Sequence, residues 1–313
     1  VLIFGLADDL TGALETGAKF RDAIVTTGGF SLDRAVVAVD TETRHMTPER
    51  AADVIRQTAR EAKLIYKKTD SALRGNIAAE LRALMGVFPN RRVIYAPAYP
   101  DLGRTVKNGC LFIDGVPAHQ TAFARDPMNP VSDSDIRKLL DGVAVRVVDG
   151  ETDTDVENAA REILASEPHA IAAGPGALAG ALARMMGLAA VDSPACPPIR
   201  RCLVVNGSLH PASAAQIDFA RDCGLFDGDW RLCGHGPESV VRALSESRFD
   251  GIVVFGGDTA FKIHEELQFP EFRTMGEVVT GVPLSRCGGL YWITKAGGFG
   301  PPELLCDIRR RVT

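Results

Sequence analysis

Val1-Leu2-Ile3-Phe4-Gly5-Leu6-Ala7-Asp8-Asp9-Leu10-Thr11-Gly12-Ala13 decides the fold. Val1–Leu6 is apolar throughout, which a strand needs only when both of its faces are covered. Two acids end the run, and Thr11–Phe20 carries helical spacing. A doubly buried strand turning straight into a helix is half of a β-α-β unit. The unit recurs. Strands are predicted at Ala35–Val39, Leu64–Lys67, Val93–Ala96, Val143–Val148 and Ala170–Ala173. Helices are predicted at Pro48–Ala62, Ile77–Met85, Asp155–Ala165 and Ala177–Met186. Thr47-Pro48-Glu49 starts one of them with a capping hydroxyl, a proline at the first helical position and an acid in the first turn.

The alternation pauses at Asp192-Ser193-Pro194-Ala195-Cys196-Pro197-Pro198, the most linker-like segment. Beyond it, strands are predicted at Leu203–Asn206, Trp230–Cys233, Ile252–Phe255 and Leu290–Thr294. Helices are predicted at Ala212–Cys223, Glu238–Ser245, Phe261–Leu267 and from Glu303. At roughly 150 residues per domain, a 313-residue chain agrees with two domains. The expectation is an α/β protein with domains at 1–192 and 193–313. Each would be a mostly parallel sheet with helices on both faces, with the active-site cleft between them.

Composition narrows the function. Hydrophobic residues make up 46% and charged residues 24%, enough apolar material for a core and too much for a disordered chain. Thirty-five Lys and Arg against 40 Asp and Glu leave a charge of -5, without the basic stripe of a nucleic-acid binder. No apolar run reaches the ~18 residues that span a bilayer, so no membrane partner is expected. Seven scattered Cys without a C-x-x-C pair fit neither a disulfide framework nor a zinc ribbon. Six His form no metal-ligand pattern, and no protein-bound metal is expected. The start at Val1 rather than Met implies a preceding segment, where a signal could have lain; the cysteine pattern favours the cytoplasm.

Ligands of open α/β sheets bind beyond the carboxyl ends of the strands, so the strand-to-helix turns should carry the chemistry. In the first turn, one of Asp8 and Asp9 would cap the helix, and the other is available for sugar hydroxyls, a cation or base chemistry. Lys67-Lys68-Thr69-Asp70-Ser71-Ala72-Leu73-Arg74-Gly75-Asn76 suits an anion, or is a charged surface loop. The long stretch from Pro97 through Arg104 to Pro117 is expected to be a functional loop, with Arg104 a second candidate anion contact.

Glycine clusters mark the remaining turns. Gly174-Pro175-Gly176-Ala177-Leu178-Ala179-Gly180 approaches a dinucleotide fingerprint, with Asp192 placed for a ribose. The Pro-rich linker follows too soon for that fold, so a tight turn is the better reading. Asn206-Gly207-Ser208, Gly256-Gly257-Asp258-Thr259 and Lys295-Ala296-Gly297-Gly298-Phe299-Gly300 each follow a strand. Glycine there exposes backbone N–H groups to phosphates. No G-x-x-x-x-G-K-[ST] occurs, so this is no P-loop protein.

Taken together, Ala7–Ala13, Lys68–Asn76, Pro97-Ala98-Tyr99-Pro100 with Gly103-Arg104, and the later Gly207-Ser208, Gly256–Thr259, Gly276-Glu277, Gly281-Val282-Pro283 and Lys295–Gly300 resemble the four-carbon acid sugar kinases. That family includes D-threonate, D-erythronate and 3-oxo-tetronate kinases. The resemblance spans essentially the whole chain. It implies an N-terminal domain for the acid sugar, a C-terminal domain for ATP with Mg2+, and phosphorylation of a terminal hydroxyl. Asp8, Asp9, Lys67, Arg74, Gly75, Asn76 and Arg104 are then the expected acid-sugar contacts, with Arg74, helped by Lys67 or Lys68, on the carboxylate. Ser208, Gly256, Gly257, Asp258, Thr259, Gly297 and Gly298 are the expected ATP contacts. Asp258, Asp9 and Arg74 are the expected catalytic groups, Asp258 as the proton acceptor. The alternatives are a nicotinamide-dependent dehydrogenase using Gly174–Gly180 and a non-catalytic acid-sugar sensor. A symmetric homodimer is expected on general grounds.

Overall fold

The computed structural model describes residues 1–29, 33–166, 168–191, 198–269 and 271–313. All but Pro198 of the predicted linker, and the Asp192 ribose contact with it, lie outside the described residues. The N-terminal domain begins with β1 (Ile3–Ala7), α1 (Leu10–Ala18), β2 (Ile24–Thr26) and β3 (Val36–Asp40). It continues through α2 (Pro48–Thr58), β4 (Leu64–Lys68), α3 (Ile77–Val87) and β5 (Val93–Tyr95). A small sheet of β6 (Arg104–Lys107), β7 (Cys110–Ile113) and β8 (Val116–Pro117) follows. The domain closes with α4 (Ile136–Leu140), β9 (Arg146–Val147), α5 (Asp153–Leu164), β10 (Ile171–Gly174) and α6 (Gly176–Met185).

Local sequence explains these boundaries. Thr47 caps α2 by accepting from Arg50 N, and Pro48 opens it. Thr152 and Asp155 close a capping box on α5. Every residue of β1, β3 and β4 is buried, including Lys67 and Lys68. The long Pro97–Pro117 stretch folds as strands rather than as a loop. Asn108-Gly109 and Asp114-Gly115 are its turns, all four residues at positive φ (53°, 75°, 50° and 79°). These are the two-residue hairpin turns that match the twist of the flanking strands.

The C-terminal domain contains β11 (Cys202–Asn206), α7 (Pro211–Asp222), β12 (Trp230–Cys233), α8 (Pro237–Glu246) and β13 (Gly251–Phe255). It ends with α9 (Gly257–Leu267), β14 (Phe272–Val279), β15 (Val282–Cys287), β16 (Leu290–Lys295) and α10 (Leu304–Val312). The strands of both domains form one 13-stranded sheet in the order β12-β11-β13-β16-β15-β14-β2-β3-β1-β4-β10-β5-β9. All ladders from β2 to β9 are parallel. In the C-terminal domain β12, β11, β13 and β16 are parallel, whereas β16, β15 and β14 pair antiparallel. The expectation of a mostly parallel sheet therefore holds for the first domain, and the second is mixed. Burial alternates along Phe272–Val279 in the manner of a strand with one covered face, and Gly281 turns it back at φ 76°. The domains join where β14 pairs antiparallel with β2 through Phe272–Val25 and Arg273–Ile24.

The chain reverses its strand order beside β1, which lies between β3 and β4, and beside β11, which lies between β12 and β13. Such switch points open a crevice at the strand ends. Among the described residues no helix is long and apolar enough to cross a membrane.

Candidate active site

The β1 end supplies two buried carboxylates. Asp9 caps α1, its Oδ1 accepting from Gly12 N at 2.9 Å. Arg44, on the turn after β3, holds both acids. Its Nε and Nη2 donate to Asp8 at 2.7 and 2.9 Å, and its Nη1 donates to Asp9 Oδ2 at 2.6 Å. Burial pushes the Asp8 carboxyl up, but the bidentate Arg44 guanidinium outweighs it and holds Asp8 below the usual range. Asp9 gets only one of these bonds. Burial, opposed by Arg44 and aided by the Asp8 charge, leaves its carboxyl above the usual range. The two acids thus separate into a fixed anion and a more basic carboxylate.

Several predicted contacts turn out to brace Arg44. Lys67 is fully buried and pairs with Glu80 at 3.1 Å, and Glu80 accepts from Thr43. Asn76 donates to the Thr43 and Met46 carbonyls at 2.8 and 2.9 Å. Gly75, at φ 87°, lies over the Asp8–Arg44 pair, where a Cβ would come within 3.1 Å of Asp8 Oδ2. None of these three lines a cavity at this site. Arg74 does line one, but Asp70 holds its Nε and Nη2 at 3.0 and 2.8 Å and Asp126 its Nη1 at 3.0 Å. Arg104 is buried and donates to the Leu102 and Gly298 carbonyls, the latter at 2.9 Å, so it ties the domains together.

Across from these residues lie the three glycine turns of the C-terminal domain. Gly256 begins α9 at φ 105° and gives it no side-chain cap, so the first N–H groups of α9 are left for a ligand. The turns interlock. A Cβ on Gly207 would overlap Thr259, 2.6 Å from its Cβ, and one on Gly297 would overlap Ser208. Lys295 is buried beneath them and donates to the carbonyls of Ala296 at 2.7 Å and Phe299 at 3.0 Å, which folds the last turn around its ammonium. Burial, with Arg104 nearby, pushes that ammonium down to about 7.

The two sets of residues face one cavity of about 380 Å³. Asp9, Arg44 and Arg74 line it from the first domain, and the turns at Gly207, Gly256 and Gly297 from the second. Asp9 also reaches the start of α9, where a Cβ on Gly257 would overlap its carboxylate. His45 Nε2 lies 3.0 Å from Asp258 Oδ2 across the same gap. That hydrogen bond, against some burial, holds the Asp258 carboxyl below the usual range. The Gly174–Gly180 turn lies elsewhere. Tyr66 donates to the Gly174 and Pro175 carbonyls at 3.0 and 2.6 Å, and the Glu15 carboxylate abuts Gly176. An acid where a pyrophosphate would sit disfavours a dinucleotide there.

Residues 3–146 match the family model of a sugar-binding N-terminal domain, and residues 234–305 that of a nucleotide-binding C-terminal domain. The chain is 29% identical to a D-threonate kinase of Bordetella bronchiseptica, over 96% of its own length and 95% of that protein. It belongs to the four-carbon acid sugar kinase family. A Bordetella bronchiseptica crystal structure of a domain-swapped dimer with bound citrate is 26% identical, with TM-score 0.54 over 100% of this chain and 98% of that one. A Salmonella typhimurium structure, provisionally described as a tRNA synthase, superposes with TM-score 0.74 over 99% of both chains; at 19% identity it carries the fold alone. The family places the chain among phosphotransferases acting on a four-carbon acid sugar, with a nucleotide-binding second domain.

Within this kinase, sequence reasoning misses Arg44 and His45. Their signal is position alone, since Thr41–His45 follows the predicted strand Ala35–Val39 and is a strand-to-helix turn like the others. The interlocked turns give a direct test. Gly207→Ala is expected to force β11 and α9 apart and to weaken binding of a non-hydrolysable ATP analogue by about a hundredfold, roughly 2.7 kcal/mol. Acid-sugar affinity should be unchanged in the same titrations; an unaltered ATP-analogue affinity would remove Gly207 from the nucleotide site.

Proposed function

We propose that the protein transfers the γ-phosphoryl group of ATP to the terminal hydroxyl of a four-carbon sugar acid such as threonate, erythronate or 3-oxo-tetronate. The observation that carries this reading is the cavity shared by Asp9, Arg44 and Arg74 with the glycine turns. ATP fits those turns because α9 begins at Gly256 without a side-chain cap, and Gly256, Gly257 and Thr259 line the cavity. Gly257, Asp258, Thr259, Gly297 and Gly298 would supply N–H groups to the phosphates, and Gly256 and Ser208, whose N–H groups already donate to the Lys295 carbonyl and Asn206 Oδ1, would supply small surfaces. Mg2+ bound with ATP supplies charge neutralisation between its phosphates.

The chain's own residues do the rest. The substrate hydroxyl oxygen forms a bond to the γ-phosphorus as the bond to the β–γ bridging oxygen breaks, and ADP leaves. The hydroxyl proton passes to Asp9. The proton acceptor moves from Asp258, the residue expected from sequence, because Asp258 is held less basic by His45 and Asp9 more basic by burial. Arg74, fixed by Asp70 and Asp126, would present positive charge to the transferring group without moving.

A coupled assay of ADP release over a panel of tetronates and 3-oxo-tetronates tests the reading. Turnover of one of them is expected. Tetronate binding without turnover would make the protein a sensor, and nicotinamide reduction without ADP release would make it a dehydrogenase.

A further inference from the structure

We infer that Lys295 and Arg104 are positioning residues for the nucleotide. As buried cations without a counter-ion, they hold the turn whose N–H groups meet its phosphates, and binding ATP draws a proton onto Lys295. This rests on the proposed use of ATP and adds a proton coupling that phosphoryl transfer itself does not require.

Every carbonyl of the turn from Ala296 to Phe299 is engaged. Lys295, fully buried, donates to the Ala296, Gly297 and Phe299 carbonyls at 2.7, 3.4 and 3.0 Å. Arg104, buried on β6 of the opposite domain, donates to the Gly298 carbonyl at 2.9 Å. Ser213 and Gln216 of α7 donate to the Gly297 and Phe299 carbonyls as well, each at 3.0 Å. The N–H groups of Gly297 and Gly298, by contrast, donate to no described residue, and both glycines line the cavity. Successive N–H groups left open in a turn make a cradle for an anion.

Neither cation has a carboxylate to balance it. Among the described residues no acid lies within ion-pair distance of Lys295 or Arg104, and Asp114, Asp70 and Glu15 act on Arg104 from farther off. Lys295 faces the Phe255 and Phe299 rings, 4.9 and 4.8 Å from its ammonium, and the charge of Arg104. The remaining titratable neighbour is His210, which opens α7 and is held below its usual range by burial and by Arg74, Lys295 and Arg104. Like charges buried together without an anion are costly, and a polyphosphate on the N–H groups of the turn is the anion they lack. Burial and Arg104 leave the free ammonium at about 7. An ammonium has three donors for its three carbonyls, whereas the neutral amine has two. Above neutral pH the turn of the free protein therefore gives up one of these bonds. A bound polyphosphate restores it by favouring the charged form.

Titration calorimetry of the purified protein with Mg2+ and ADP at pH 8, in two buffers of different ionisation enthalpy, counts the protons. The phosphates of ADP are already ionised at that pH, and His210 is neutral. Wild type should take up about half a proton or more per ADP bound. Its Kd should rise about tenfold from pH 7 to pH 8.5. Lys295→Met should abolish the uptake and flatten the pH dependence. Arg104→Met removes a charge that depresses Lys295, so more of the free protein keeps its proton and the uptake should shrink. Thermal melting shows whether each variant is folded, and the wild-type count decides the matter without them. ADP binding by wild type with no proton taken up overturns the coupling and leaves the kinase reading intact. An uptake that persists in folded Lys295→Met assigns the proton elsewhere and overturns it too. An uptake that folded Arg104→Met does not reduce removes Arg104 from the pair. No binding of ADP by wild type overturns the nucleotide reading and the coupling together.

Discussion

Asp9→Asn is expected to lower kcat by about a thousandfold, within the range of a lost general base, with the KM values for ATP and acid sugar nearly unchanged. The substitution keeps the α1 cap but sets an amide NH2 against Arg44 Nη1, which now donates to Asp9 Oδ2 at 2.6 Å, so thermal melting must first show the variant folded at the assay temperature. Asn is a good helix cap, so the bond from Gly12 N that Asp9 now accepts can persist. Asn cannot accept the substrate proton. The raised Asp9 pKa also fixes the pH behaviour. A base must be deprotonated, so wild-type kcat/KM should fall as the pH drops through a value above the usual carboxylate range. Asp258→Asn is the comparison, because its carboxylate is held low by His45 and half of its side chain is exposed. It should cost less than about tenfold in kcat. Steady-state kinetics of both variants decide the matter: a Asp9→Asn enzyme within tenfold of wild type, or an equal loss in Asp258→Asn, would return the role to Asp258.

Arg44→Met is expected to destabilise the protein by about 3–5 kcal/mol, the usual cost of removing one partner from a buried ion pair. The loss is large against total stabilities of about 5–15 kcal/mol. Arg44 is buried, bonds directly to Asp8 and Asp9, and lies 3.8 Å from Asp70. Methionine leaves Asp8 and Asp9 buried without their counter-ion. The pH dependence follows from the signs. In wild type, Asp8 and Asp70 are held below their unfolded values. Their contribution is present above about pH 4 and is lost as the pH falls through the folded values. In the variant, burial without Arg44 raises the Asp8 and Asp9 values, so stability falls as pH rises above about 4. The gap between the proteins should therefore widen from pH 4.5 to pH 7.5 in urea titrations. A gap that does not change with pH would mean that packing, rather than charge, is what Arg44 contributes.

The hydrophobic pattern was enough to locate most strands of the large sheet, because strands covered on both faces need uninterrupted apolar runs. It was weakest where that condition lapses. β14 and β15 alternate or mix burial and escaped it, and Val143–Val148 shrinks to Arg146–Val147. The small sheet was legible in principle from Asn108-Gly109 and Asp114-Gly115, which are hairpin turn pairs. For the site, residue type suggested charge but not its partner. Lys67, Asn76 and Arg74 look alike as ligand groups in sequence, yet each is occupied by a neighbour distant in the chain: Glu80, the Thr43 carbonyl and Asp126.

The sequence by itself determined the α/β class, the family, and the turns at which chemistry must occur, since all three follow from local pattern and short motifs. Only the tertiary structure decided which charges are free. A cation's availability depends on which carboxylates surround it, and those come from other strand ends. Thus Arg44, unremarked in sequence, becomes the centre of the acidic cluster, while Lys295 and Arg104, from different domains, meet at the carbonyls of one glycine turn.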